Sequence, residues 1–156
     1  MGILTAVRQE NQRVCGAALL ALWFFQAPAP AAEFRAGWLT VGEAWSPPTP
    51  PAATVGAAYF SITNRGHDTD RLLAIASPIA RKVEIHESRT VQGTMQMRAV
   101  AWIECPPGLT KIEPGSVHVM LLGLSVPLTA GMQFPLKLEF RDAGSLTIQV
   151  QVGARE

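Results

Sequence analysis

Four side chains whose donor atoms suit a soft metal lie in the second half of the chain: His86, Met97, His118 and Met120. Two imidazole nitrogens and two thioether sulfurs make an uncharged ligand set. Thioether sulfur is a soft donor, and Cu(I) is the main biological metal that it binds well. If these four side chains converge in the folded protein, the sequence predicts a Cu(I) site.

His118 and Met120 lie in an apolar run, Val117–Leu122, that is typical of a central β-strand. Side chains alternate along a strand, so these two point to the same face, with Cα atoms about 6.5–7 Å apart at roughly 3.3 Å per residue. Met95 and Met97 repeat the same spacing in another segment. Met95 therefore remains open as an alternate ligand.

His86 lies in the alternating segment Lys82–Ser88, where Val83 and Ile85 form the apolar face and His86 lies on the other. Core packing therefore does not explain its position. Taken singly, a strand methionine usually fills a gap in the core, and a histidine on a polar face is usually solvated. The joint pattern favours a metal, because two of the three histidines in the chain belong to it.

The first thirty-one residues have the pattern of an export signal. A segment with two arginines precedes an apolar run, Val14–Phe25, and Ala29-Pro-Ala31 matches a small-x-small cleavage site. The run has about a dozen residues, fewer than the roughly 20 that span a bilayer. We expect a signal peptide over residues 1–31, with an uncleaved anchor as the alternative, and a single domain over residues 32–156.

Removal of that signal leaves a neutral domain. Arg8, Arg13 and Glu10 leave with it, so that of 13 basic and 12 acidic residues eleven of each remain. Nucleic acids and anionic membranes are usually bound through basic patches, so neither is an expected partner. Cys15 lies at the start of the apolar run, with Arg13 two positions before it, so Cys15 is not placed like a lipoprotein cysteine.

Only Cys105 remains in the mature domain, so no internal disulfide is expected. The prolines that follow it predict an unpaired thiol in a loop, with an accessory metal ligand or an intermolecular disulfide as open alternatives. His67 lies in a predicted turn and should be solvated. Trp38, Trp45 and Trp102 are interpreted as packing residues.

Short strand-like segments fill residues 37–152 and are separated by turns rich in glycine and proline, with no amphipathic helix. The proline-rich residues 46–53 cannot form a helix or an inner strand and predict an extended loop. The predicted strands cover about 37–44, 57–63, 72–76, 82–88, 95–102, 109–112, 117–122, 134–140 and 146–152. Eight or nine strands of this kind predict an all-β fold, an antiparallel β-sandwich or Greek-key barrel.

Three segments together resemble the periplasmic copper chaperones of the PCuAC family: Val83-Glu-Ile-His86, Met95-Gln-Met97-Arg98 and Pro114-Gly-Ser-Val-His118-Val-Met120. The family pattern is His-x10-Met-x21-His-x-Met, whereas this chain reads His86-x10-Met97-x20-His118-x-Met120. The second interval is therefore one residue shorter than in the family pattern, and we expect this difference to lie in the loop around Cys105–Gly108. The resemblance covers about residues 37–152, which is nearly the whole mature domain.

The resemblance implies a cupredoxin-like β-sandwich in the periplasm that carries Cu(I), one per chain, on the four residues of the motif. Its implied role is to help assemble the binuclear copper centre of cytochrome c oxidase. The implied partner is a copper-receiving protein, either the oxidase copper subunit or a thioredoxin-like copper assembly protein. The chain lacks the His/Met-rich tail that holds a second copper in some members, so one site is expected. A monomer is also expected.

Other functions remain as alternatives. A blue-copper electron carrier needs a cysteine ligand, and Cys105 lies thirteen residues before His118, outside the ligand segments. A copper storage protein would use the same ligands. A non-enzymatic β-sandwich that binds a protein through an exposed edge would make the pattern accidental. The sequence lacks an activated nucleophile, a carboxylate pair and a phosphate-binding loop, so an enzyme is not expected.

Overall fold

The computed structural model describes residues 33–154, so the predicted signal peptide lies outside the described residues. These residues form strands and turns, and none of them belongs to a helix that could cross a membrane. The strands are β1 (Phe34–Ala36), β2 (Leu39–Val41), β3 (Ala44–Ser46), β4 (Val55–Ala58), β5 (Phe60–Asn64), β6 (Asp70–Ala76), β7 (Ala80–Val91), β8 (Thr94–Val100), β9 (Ile103–Cys105), β10 (Gly108–Ile112), β11 (Val117–Leu124), β12 (Gln133–Phe140) and β13 (Ser145–Val152).

The strands form three hydrogen-bonded sheets, in the orders β1-β2-β5-β10, β4-β11-β7-β8 and β3-β13-β12-β6-β9. Neighbouring strands are antiparallel in every described pair except β3 and β13, which run parallel. The predicted all-β architecture is confirmed. The part of the chain that the structure describes has thirteen strands rather than eight or nine, because two predicted strands are each divided and two short strands, β1 and β9, lie outside the predicted ranges.

The first two predicted strands are each divided in the structure. The predicted strand 37–44 is interrupted at residues 42–43, between β2 and β3, whereas Gly37, with a φ of 55° in the left-handed region that glycine adopts easily, forms the turn between β1 and β2. Tyr59 lies between β4 and β5, and it forms an isolated bridge with Trp45. Since β4 and β5 belong to different sheets, Tyr59 marks the point where one predicted strand passes between sheets.

One cluster of buried apolar side chains joins the three sheets and forms the core. The strands β12 and β13 contribute every second residue, as their alternation predicts. Large core residues with almost no exposed surface are Leu39, Ile62, Leu72, Ile112, Leu121, Leu128, Phe134, Leu136, Leu138 and Ile148. On β11, Val119 and Leu121 enter this core, while His118 and Met120 face the other way.

Cys105 is the last residue of β9 and is fully buried, so the prediction of a loop thiol was wrong. The prolines that follow it end the strand, and Cys105 itself pairs with Asp70 on β6. The amide Nδ2 of Asn64 donates a hydrogen bond to the Cys105 carbonyl oxygen at 2.9 Å. Burial raises the pKa of the Cys105 thiol to about 11. A thiol buried in this way has no access to a surface metal or to a second chain.

The three tryptophans differ in their surroundings. Trp45 packs against Tyr59 with ring centroids 4.8 Å apart and is half-buried, as the packing interpretation predicts. Trp38 lies in the turn after Gly37 and is exposed, so its packing interpretation was wrong. Trp102 is also partly exposed, with the Arg71 guanidinium 5.1 Å above its ring.

Candidate metal centre

The sheet β4-β11-β7-β8 positions all four candidate ligands. The central strand β11 carries His118 and Met120, β7 carries His86, and the edge strand β8 carries Met97. His118 lies directly opposite His86 in the register of β11 and β7. Their ring centroids are 5.9 Å apart, at an interplanar angle of 63°. Two imidazoles from segments far apart in the sequence are therefore adjacent in the fold.

The two methionines lie on either side of this histidine pair. Met120 is opposite Glu84, two residues before His86, and Met97 is opposite Ser88, two residues after it. Residues directly opposite one another in a ladder share a face of the sheet, and so do residues two apart on one strand. All four candidate ligands therefore lie on one face, which is the face away from Val119 and Leu121.

The register of β8 is set by a tight hairpin. Gln92 and Gly93 join β7 to β8 with φ values of 50° and 79°, the combination required by a type I′ turn. This turn lies between the predicted strands 82–88 and 95–102, where the sequence leaves room for a connection. Pairing with β11 ends at Glu87, so residues 88–97 form a two-stranded extension, which we call the hairpin arm.

Solvent exposure increases from the central strand to the hairpin arm. His118 is buried, and His86 and Met120 are half-buried. Met97 is 62% exposed. Met95 is 63% exposed and lies opposite Thr90, so it is on the same face as Met97 but farther out along the arm. The candidate centre is therefore open to solvent on the side of β8.

Hydrogen bonds assign different ring nitrogens to the two histidines. His118 Nδ1 lies 3.0 Å from the Ser116 carbonyl oxygen, which can only accept, so Nδ1 donates and Nε2 is left for a metal. His86 Nε2 lies 2.8 Å from Glu84 Oε2, and a carboxylate also accepts. Hydrogen bonds from Lys82 and then from His86 lower the pKa of Glu84, so this carboxyl group is ionised at neutral pH.

Glu84 is the residue at this centre that the sequence reasoning missed. Its position two residues before His86 already put it on the same face of a strand, which was the signal available. The four candidate ligands carry no charge of their own, but the structure adds a carboxylate beside them. Within residues 33–154, no group of three or more His, Cys, Asp or Glu side chains is arranged to hold a metal.

His67 lies apart from these residues. It is exposed in the turn after β5, as predicted, and it lines a separate cleft with Trp38 and Arg65. The residues that line this cleft include none of the four candidate ligands. The structure therefore brings two of the three histidines of the chain together and leaves the third elsewhere.

Residues 39–152 match a protein family described as "Putative lipoprotein LpqE-like". The chain belongs to the LpqE-like family. "Putative lipoprotein Lxx21020" of Leifsonia xyli subsp. xyli (strain CTCB07) is 31% identical to this LpqE-like chain over 120 residues, which are 76% of this chain and 71% of the relative. "Uncharacterized protein RP573" of Rickettsia prowazekii (strain Madrid E) is 31% identical over 98 residues, or 62% of this chain and 54% of that relative.

Solved structures with the same fold include PCuAC domains. The copper-bound PCuAC domain from PmoF2 has a TM-score of 0.68 and 25% sequence identity, covering 80% of the LpqE-like chain and 99% of that domain. The solution structure of CuI-DR1885 from Deinococcus radiodurans has a TM-score of 0.59 and 27% identity, covering 81% and 82%. The resemblance to the PCuAC family and the cupredoxin-like β-sandwich are thereby confirmed.

Proposed function

We propose that this LpqE-like protein is a carrier of Cu(I), which it binds on His86, Met97, His118 and Met120 and passes to another protein. The observation that carries the proposal is the direct cross-strand pairing of His86 with His118. Two similar solved structures are described as copper-bound or as a Cu(I) form, which supports copper as the cargo.

The chemistry of the four donors fits reduced copper. Thioether sulfur and imidazole nitrogen favour Cu(I), and thioether sulfur has little affinity for hard metal ions such as magnesium or calcium. Nε2 of His118 is available because Nδ1 already donates to Ser116. Thiolate ligands would bind copper more tightly but are open to oxidation. A thioether and imidazole site is therefore suited to holding copper and releasing it again.

Release follows from the position of Met97. This side chain is on the edge strand and exposed, so an incoming thiolate can displace it before it displaces the buried His118. Copper then passes from one ligand to the next without leaving as a free ion. We infer that copper enters and leaves on the β8 side of the sheet.

The proposal also covers the protein that receives the copper and the compartment in which the carrier acts. We infer delivery for assembly of the binuclear copper centre of cytochrome c oxidase, to the oxidase copper subunit or to a thioredoxin-like assembly protein. This destination is what the resemblance of the ligand motif to the PCuAC family implies. We infer export to the periplasm, cleavage after residue 31 and a monomer of residues 32–156 that has no enzymatic activity. The lipoprotein descriptions of the relatives agree with export.

An anaerobic titration of the exported protein with Cu(I), in competition with a chromophoric chelator, tests the binding step. We expect one colourless Cu(I) per chain. An intense blue Cu(II) form would support the electron-transfer alternative, although Cys105 is buried on a strand of another sheet. Absence of binding would leave a β-sandwich that interacts with proteins.

Transfer is tested by mixing the Cu(I)-loaded protein with a dithiol-containing acceptor at several acceptor concentrations. A transfer rate that rises with acceptor concentration is expected, because the acceptor takes part in ligand exchange. A rate fixed at the spontaneous dissociation rate would instead support copper storage.

N-terminal sequencing of protein recovered from the cell envelope tests export. A start near Ala32 is expected from the cleavage pattern. A start at Met1 in the membrane fraction would replace cleavage by anchoring.

A further inference from the structure

Glu84 contacts the candidate centre without belonging to the four-ligand motif. It lies directly opposite Met120 in the ladder, on the face that carries His86 and His118. Its Oε2 is 2.8 Å from His86 Nε2, and its Oε1 pairs with Lys82. A charged side chain on this face is therefore held against a candidate ligand by a hydrogen bond.

This hydrogen bond restricts how His86 can bind copper. An ionised carboxylate only accepts, so His86 Nε2 keeps its proton while the contact persists. A ring nitrogen that carries a proton cannot ligate a metal, which leaves Nδ1 as the ligating atom. Histidines bound to metals generally donate the other ring N–H to a carboxylate or carbonyl, which fixes the ring and increases its basicity.

We propose that Glu84 is a positioning residue for copper: it holds the proton of His86 on Nε2 and directs Cu(I) to Nδ1. His118 has the opposite arrangement, since its Nδ1 donates to the Ser116 carbonyl oxygen and its Nε2 is left to bind copper. The two histidines then bind one copper through different ring nitrogens. This inference rests on the proposed Cu(I) site.

Glu87 supplies a matched control on the same strand. It also makes two ion pairs, with Arg89 and Arg98, and its side chain is 21% exposed, compared with 23% for Glu84. Since Glu84 and Glu87 are three residues apart, they project to opposite faces of the sheet. The two glutamates thus differ mainly in their contact with His86.

Cu(I) affinities of Glu84→Ala, Glu84→Gln and Glu87→Ala separate positioning from a general charge effect. Removal of partners that orient metal ligands typically costs about 10–100-fold in affinity, and we expect this loss for Glu84→Ala. Glu84→Gln should recover part of it, because the amide oxygen also accepts a hydrogen bond. Glu87→Ala should bind like the unmodified protein. Equal affinities for Glu84→Ala and Glu87→Ala would overturn the proposal.

Nitrogen-15 NMR of the histidine rings gives a readout that a purely structural role would not change. In the loaded protein we expect the copper-induced shift of His86 at Nδ1 and that of His118 at Nε2. In Glu84→Ala the His86 shift should move partly or wholly to Nε2. Copper on Nε2 of His86 in the unmodified protein would overturn the positioning role alone. If the unmodified protein bound no Cu(I), the proposed function would fall together with this inference.

Discussion

The central strand β11 and the edge strand β8 each contribute to the candidate centre, but they have little else in common. On β11, His118 and Met120 alternate with Val119 and Leu121, which are fully buried in the core. On β8, residues 94–99 are all exposed, including the candidate ligand Met97. One strand is fixed by packing on its other face, whereas the other is held by its pairing with β7.

This difference assigns the two tasks of a copper carrier, holding the metal and releasing it, to different strands. Ligands on β11 cannot move without disturbing the core, so they keep their spacing whether or not copper is bound. A ligand on β8 can be exchanged with little structural cost, because few neighbours restrain it. Substitutions on the two strands should therefore have effects of different size and kind.

The largest expected effect is on stability and comes from the core face of β11. Leu121→Ala removes a fully buried side chain and should lower the free energy of unfolding by about 2–5 kcal/mol. Denaturant unfolding of the copper-free protein measures it. Leu109→Ala, at an exposed leucine of β10, is the control and should change stability by less than about 0.5 kcal/mol. Similar losses at both positions would contradict the assignment of the core.

His118→Ala should cause the largest loss of copper affinity. It removes a buried nitrogen donor from the fixed strand, and we expect at least about a hundredfold weaker Cu(I) binding, roughly 2.8 kcal/mol. Chelator competition measures the affinity, and circular dichroism checks that the fold persists. His67→Ala removes the exposed histidine outside the centre and should bind copper normally. Unchanged binding by folded His118→Ala would remove the proposed site.

Met97→Leu should have a smaller effect, because the ligand lies on the exposed strand. The substitution keeps the size of the side chain but removes the sulfur, and we expect about a tenfold loss of Cu(I) affinity, roughly 1.4 kcal/mol. Thermal unfolding of the copper-free protein should be unchanged. Met95→Leu is the matched control, on the same strand and face with the same exposure. A greater loss for Met95→Leu than for Met97→Leu would make Met95 the ligand.

Cys105 should affect stability only in alkaline solution and should not affect copper binding. Its pKa in the folded protein is raised from 9.0 to about 11, so folding is favoured by the neutral thiol. That contribution is complete below about pH 9 and is lost as the pH rises towards about 11. The stability difference between the unmodified protein and Cys105→Ala should decrease across this interval. A loss of Cu(I) affinity above about tenfold in Cys105→Ala would instead indicate a ligand.

Alternation and turn chemistry made much of the fold predictable from the sequence. The strands around Phe134–Phe140 and Leu146–Val152, the turn at residues 91–94 and the shared face of His118 and Met120 all follow from local patterns. Features that depend on the choice of strand partner were not predictable. The burial of Cys105 follows from the pairing of β9 with β6, and the division at Tyr59 follows from a change of sheet.

The geometry of the candidate centre also depends on which strands pair, and this was not predictable from the sequence. Parity along each strand predicts which face a side chain occupies, but it does not say which strands are neighbours. The adjacency of His86 and His118 needed the pairing of β7 with β11. The contact between Glu84 and His86 depends on side-chain conformations that no periodicity specifies.

Because β7 and β8 form a hairpin, the number of residues between His86 and Met97, the first interval of the motif, decides which face of the sheet Met97 occupies. His86 is opposite Ala99 and Ser88 is opposite Met97, so the ten residues between His86 and Met97 place both on one face. One residue added within the paired strands would turn Met97 to the opposite face, whereas two would restore it. The second interval leaves this sheet through β9 and β10 before returning as β11, so its length is not tied to the alternation of side chains. Related sequences should therefore keep the first interval or change it by even numbers, and they can differ by single residues in the second.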